Sequence, residues 1–436
     1  MTLRACIAEL PRGIAVIRLL AAVSLLTLPA VTVAENWPQW RGPTNNGVSN
    51  EKGIPSAWGE GQHIAWKLPM PGIGGSTPAI WGDRIFLTSA DGKDLVLLCA
   101  TTDGKVLWKK KAANVNRTAF MRDEGNEAGA SPSTDGKHVW VFFATGDVAC
   151  FDFDGNEIWS KNVQKDYGRF SIQHGMHVTP LLHEDKLYVV LLTNGGHWIA
   201  ALDKMTGKEI WKHERKSDAK GESREAYSSP ILWTTGKEPC IVVLGCDYTT
   251  AHSLKDGSEI WRITELNPKK GYSAALRIIA SPVAAPDELI VPTARGGLVV
   301  AVKPGATGTI DPGNSFELWR NPKGAPDVPS PLIHDGIVYF MRENGNLQAV
   351  DAATGKELYN KRLHADRYRA SPVLVDGKVI TTSRDGTFHV VKAGREFEEL
   401  GKNSLPDTFT ASPAISGGRM YLRGFQNLYA IDAKAK

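Results

Sequence analysis

The chain has 436 residues with a formal net charge of +4. That length holds two or three ordinary domains or one large repeat domain. High glycine (43) and tryptophan (13) counts, with no low-complexity stretch, exclude a disordered chain, and so balanced a charge excludes wholesale nucleic-acid binding.

In chain order, the first element is an export signal over residues 1–34. Arg4, Arg12 and Arg18 make a basic region, Leu19–Leu28 an apolar stretch too short for an ordinary membrane span, and Thr32-Val33-Ala34 a small-residue cleavage site before Glu35. Cys6 precedes the apolar stretch, which argues against a lipidated first residue and leaves an uncleaved anchor as the alternative. Residues 35–62 form an N-terminal extension. Beyond it, small-residue–proline pairs recur at Thr77-Pro78, Ser131-Pro132, Thr179-Pro180, Ser229-Pro230, Ser281-Pro282, Ser330-Pro331, Ser371-Pro372 and Ser412-Pro413. Their intervals of 41 to 54 residues match the blade of a β-propeller, not a helical repeat.

Each unit follows one script. Proline opens a short strand, where its missing N–H does least harm. A turn and an alternating β-branched strand follow, as in Lys186–Val190; a third strand ends in Asp, as in Ala201-Leu202-Asp203; a glycine turn leads to a last strand bearing an aromatic. Those aromatics are Trp108, Trp159, Trp211, Trp261, Trp319 and Tyr359, with Phe397 or Leu400 standing in the seventh unit. A large ring at one recurring place wedges neighbouring sheets together and buries on the order of 200 Å2. The eighth unit stops without its aromatic strand, and His63-Ile64-Ala65-Trp66-Lys67 supplies it from the other end of the chain. The expected fold is therefore all-β, an eight-bladed propeller of four-stranded antiparallel blades over residues 63–436, closed by the N-terminal strand.

The segments Ala201–Trp211 and Ala349–Tyr359 resemble the docking motif of PQQ-like (pyrrolo-quinoline quinone-type) propellers, a superfamily that includes quinoprotein alcohol dehydrogenases and BamB-like proteins. The resemblance covers residues 63–436. Trp37-Pro38-Gln39-Trp40-Arg41-Gly42-Pro43 is similar to the start of a group of exported bacterial propellers of that class. The resemblance implies an eight-bladed ring and a binding face on the loops that join successive blades; it implies no cofactor by itself.

Two features point to that face. The spacings from closing aromatic to next proline are 24, 21, 19 and 21 residues after Trp108, Trp159, Trp211 and Trp261, but 12 or 13 elsewhere. The long loops are basic: residues 109–129, 160–178, 212–227 and 262–279 carry +2, +2, +1 and +3, against +2 for residues 35–436. Second, Arg295, Arg342, Arg384 and Arg423 lie 10 to 13 residues after their prolines in units five to eight, where units one to four have Asp91, Asp147, Asn194 and Asp247. Converging on the axis, four guanidinium forks suit carboxylate, sulfate or phosphate; the alternative is pairing with Glu343 and Asp385. His174, His177 and Arg277 in the long loops complete the candidate binding set.

No catalytic residue or metal site is assigned. His174 and His177 lack a third ligand at fixed spacing, and Asp152–Glu157 aligns with the ordinary turn of the repeat rather than a complete calcium loop. Cys99, Cys150, Cys240 and Cys246 read as small buried apolar residues. The favoured function is an exported, monomeric, non-catalytic binding or scaffold propeller of a bacterial periplasm or cell envelope, without expected cofactor, taking a protein or anionic ligand. The alternative is a quinoprotein dehydrogenase using PQQ with calcium. The adjacent-cysteine ring and evident calcium set of the familiar enzymes are missing from the sequence.

Overall fold

The computed structural model describes residues 35–115, 125–234 and 238–435. The expected export signal, with Cys6, and part of the first long loop lie outside the described residues. Residues 34–436 form one compact unit.

Eight sheets make the ring. In chain order the blades span Ala79–Asn114, Ser133–Asn162, Leu181–Glu214, Ile231–Ile263, Val283–Asn321, Leu332–Arg362, Val373–Ser404 and Ala414–Asp432. Blade 3 is typical. Its strands A to D are Leu181–His183, Lys186–Thr193, Gly196–Asp203 and Glu209–Glu214, paired antiparallel in that order. Strand B is buried on both faces, whereas the outer strand alternates with exposed residues, as a sheet flanked by two others requires. Blade 8 is completed by Ile64–Pro69, antiparallel to Asn427–Asp432 with Trp66 opposite Ala430, which closes the ring as expected. Two sheets depart from four strands. Val48–Ser49 adds in parallel to strand A of blade 7, and Gly308–Ile310 adds in parallel to the outer strand of blade 4.

The docking aromatics act at the junctions. The indole N–H of Trp66, Trp108, Trp159, Trp211 and Trp319 donates to a carbonyl in the next blade's C–D turn: Thr102, Phe153, Lys204, Leu254 and Ala352, at 2.7–3.2 Å. The ring lies on that turn's glycine. At Gly207 (φ 66°) an added Cβ would stand 2.5 Å from Trp159 Cε3, so both the left-handed backbone and the contact require glycine. Trp261 has no such turn to meet. Its strand takes the added strand Gly308–Ile310 instead, and Trp233 packs edge-on against it while donating to Ala285 O of blade 5. Tyr359 meets Phe397 edge-on, ring centres 5.6 Å apart. Blade 7 lacks an outer tryptophan. There the extension contributes Trp58, whose ring is buried against Phe388 and whose backbone N–H donates to Asn403 Oδ1.

The residue before each proline explains the inner ring. Its backbone N–H donates to the Ser or Thr hydroxyl at the same place in the following blade. Seven such bonds of 2.8–3.1 Å run from Thr77→Ser131 to Ser371→Ser412. Only a small hydroxylated side chain can accept this bond and leave the axis open.

The extension crosses that axis. Trp37 exchanges backbone hydrogen bonds with Ile80 of blade 1, and Pro38 O accepts from Thr134 of blade 2. Arg41 then reaches the carbonyls of Pro331 and Pro372, in blades 6 and 7 on the opposite side, at 2.5 and 2.9 Å. Its guanidinium is buried and meets carbonyl oxygens, with no carboxylate, so desolvation lowers its pKa to about 9.

Trp211→Ala is expected to lower unfolding free energy by about 3 kcal/mol, from lost ring packing, measured by denaturant titration. Arg41→Met keeps much of the bulk but strands three carbonyls; it is expected to cost about 2–4 kcal/mol in the same assay.

Candidate functional site

Inside the hydroxyl ring lies an axial cavity of about 710 Å3. All eight Ser/Thr of the proline pairs line it, and Trp40 of the crossing segment contributes to its wall. One end is thus crossed by the extension, while the loops between blades surround the other. Each ring hydroxyl that accepts a backbone N–H still carries its own proton, and among the described residues none of these protons is donated to a protein acceptor.

Four arginines, Arg277, Arg295, Arg367 and Arg369, line the cavity, with two carboxylates, Asp327 and Glu343. Arg295 Nη2 lies 2.5 Å from Asp327 Oδ2 and 2.5 Å from Glu343 Oε2, although the Arg295 side chain is 64% exposed. Arg369 Nη1 holds Glu343 Oε1 at 2.7 Å. The two carboxyls are hydrogen-bonded to each other. Burial, and then Asp327 alongside, push Glu343 up. Burial also acts upward on Asp327, but hydrogen bonds from Glu343 and Arg295 outweigh it and its pKa falls. The pair therefore shares a proton more readily than two separated carboxylates do.

In the loop that leads to blade 5, Arg277 Nη1 donates to His174 Nε2 at 2.7 Å and to Glu222 Oε1 at 2.9 Å. His174 packs edge-on against Tyr227, whose hydroxyl donates to Glu225 Oε2. His177 donates through Nε2 to His174 O at 2.9 Å, and burial lowers its pKa, favouring the neutral ring. His174, His177 and Arg277 are thus brought together at the cavity, and Arg295 lines it as well.

The remaining three arginines do not join them, so the expected four-arginine mouth is not formed. Arg342 faces an adjoining side cavity. Arg384 lines neither cavity; its backbone N–H donates to Arg367 O. Arg423 is fully buried and donates to Gly72 O, Ser89 Oγ, Gly424 O and Phe425 O, a strut between blades 8 and 1. Desolvation lowers its pKa to about 9. The acidic counterpart is likewise dispersed: Asp91 pairs with Lys109, Asp147 accepts from Thr145 and Asn162, and Asp247 from Asn267 and Tyr272. Sequence reasoning missed Arg367 and Arg369. They fall in the short loop after Tyr359, and the signal that singled out the other loops was length.

A calcium-bound quinone of the quinoprotein type needs a set of oxygen ligands and, in the familiar enzymes, adjacent cysteines. Among the described residues no group of three or more His, Cys, Asp or Glu is clustered for a metal. Asp327 and Glu343 are already engaged by arginine. The four described cysteines are free and buried, and desolvation raises each thiol to about 12. These residues do not fit the group, and no oxidation step is derived through it.

Comparison with known proteins agrees with the fold. A solved structure of BamB from Moraxella catarrhalis superposes with a TM-score of 0.60 at 12% identity, covering 84% of this chain and 99% of that one. Quinohemoprotein alcohol dehydrogenase from Comamonas testosteroni gives 0.64 at 12% identity, covering 92% and 81%. Among curated proteins, a polyvinylalcohol dehydrogenase of a Pseudomonas species is 24% identical over 261 residues, 55% of this chain; the match spans only 35% of that relative. The family model described as outer membrane protein assembly factor BamB matches residues 56–173, 144–394 and 303–435. With matches running through every blade, the chain belongs to that family of PQQ-like repeat propellers.

Proposed function

We propose that the protein is an exported, non-catalytic binding propeller of the bacterial cell envelope that takes an anionic ligand in its axial cavity. The observation that carries this reading is that four guanidinium groups line the cavity, against two lining carboxyls, Asp327 and Glu343, with Glu222 bound to Arg277 outside the lining. Guanidinium forks in a half-enclosed, low-dielectric cup bind carboxylate, sulfate or phosphate more strongly than on an open surface. Among the described residues no helix is long and apolar enough to cross a membrane. The likeness to a polyvinylalcohol dehydrogenase favours a second reading, oxidation of an alcohol with PQQ and calcium. Titration with both, followed by the quinone absorbance and by dye reduction with an added alcohol, discriminates the two.

Citrate and sulfate titrated calorimetrically are expected to bind with an affinity that falls as salt rises. Arg277→Gln with Arg367→Gln is expected to weaken both by roughly tenfold or more while the fold is kept. Unchanged affinities place any anion site elsewhere.

The pH dependence has a definite sign. Glu343, facing Asp327, Arg295 and Arg369, has a raised pKa and takes up its proton before an ordinary carboxylate does as pH falls. That proton adds one positive charge to the cavity, so anion affinity is expected to rise as pH falls, beginning above the range where an ordinary glutamate titrates. Glu343→Gln should flatten that rise in a calorimetric series.

A further inference from the structure

A second cavity of about 510 Å3 adjoins the axial one and shares Arg295, Asp327, Glu343 and Arg367 with it. It lies between blades 5 and 6, under the loop that leads to blade 7. Its own charged lining is Arg342, Arg362 and Asp366. Arg342 stands out among the arginines near the ring. Arg262, Arg320, Arg395 and Arg419 each hold a carboxylate. Arg342 instead donates to a neutral amide, Gln348 Oε1, at 2.6 Å, and that amide is itself tied to Glu357. Its Nε is buried and, among the described residues, has no acceptor. Desolvation lowers its pKa, and Glu357, which reaches it only through the amide, does not offset that burial. A guanidinium held this way is costly unless an anion completes it.

The two cavities together far exceed what one small oxyanion fills. The axial part offers flat faces on Trp40, Tyr227 and Phe425, and a ring of hydroxyl protons not donated to the protein. Aromatic faces and hydroxyl donors suit a polyol, and guanidinium groups at two separate places suit a chain of acidic units.

We propose that the side cavity is a second anionic subsite and that the ligand is an acidic oligosaccharide. It runs from the axial cup past Arg295, with one carboxylate or sulfate among Arg277, Arg367 and Arg369 and the next on Arg342 and Arg362. This rests on the anionic-ligand reading above and adds the ligand class and its path. A nucleic-acid strand is the competing polyanion, and the modest net charge of +4 disfavours it.

The test uses calorimetric titration of the full chain with galacturonic acid, its trimer, citrate and an eight-residue oligothymidylate. The trimer is expected to bind at least roughly tenfold more tightly than the monomer. Arg342→Gln with Arg362→Gln should abolish that gain, leave monomer and citrate affinities unchanged, and keep or raise the melting temperature. A trimer no tighter than the monomer overturns the second subsite, as does a double variant that weakens both equally or neither. Tighter binding of the oligothymidylate overturns the ligand class. Citrate binding without trimer binding removes this proposal and leaves the axial reading standing; binding of neither removes both.

Discussion

The hydrogen bond from one blade's backbone to the next blade's hydroxyl is the constraint on which the rest of the molecule depends. Strand A is the inner edge of each sheet, and an inner edge facing a channel has N–H groups with no strand to pair. Proline removes one of them. The residue before it turns its own N–H sideways to a neighbour that must be small enough to sit at the axis and polar enough to accept. Serine and threonine meet both demands. Seven such bonds link the eight inner edges, and tryptophans at the rim hold the outer ends of most junctions. Pinned inside and wedged outside, the blades leave an axial space whose wall is polar at every step.

What that space does is decided by which arginines reach it. Arg41 and Arg423 are guanidinium groups committed to backbone carbonyls, so they are structural struts despite their charge. Arg277, Arg295, Arg367 and Arg369 line the cavity, and three of them also hold a carboxylate: Arg277 holds Glu222, Arg369 holds Glu343, and Arg295 bridges Asp327 and Glu343 while remaining largely exposed. Burial and the neighbouring Asp327 raise the Glu343 pKa, so this acid is the first of the pair to lose its negative charge as pH falls.

The period of the proline pairs, the glycine turns and the aromatic positions are local patterns, so the eight blades and the closing role of Ile64–Pro69 were legible in the sequence. The added strands were not. Val48–Ser49 is two residues long and finds its partner Leu374 more than three hundred positions away, with no local pattern to mark it. The side of the ring holding His174, His177 and Arg277 followed from loop length. The four-arginine mouth is not formed because similar spacing from a proline does not give the same direction. Each arginine turns toward whatever acceptor its own blade junction offers: Asp327 for Arg295, an amide for Arg342, carbonyls for Arg423. The proline pairs mark the period in the sequence, and in the fold their hydroxyls form the inner seam.

The crossing segment also sets an order in time. Trp37 and Pro38 rest on blades 1 and 2, but Arg41 needs Pro331 and Pro372, Val48 needs Leu374, and Trp66 needs a strand that ends at Asp432. None of these partners exists until nearly the whole chain is available. The first described residues must therefore wait while seven blades assemble from neighbouring contacts, each local in the sequence, before the last long-range contacts lock. A chain threaded through a narrow passage from its N-terminus would emerge with its latch first and its catch last. The final fold, and the floor of the axial cavity with it, is completed only after blade 8 has followed.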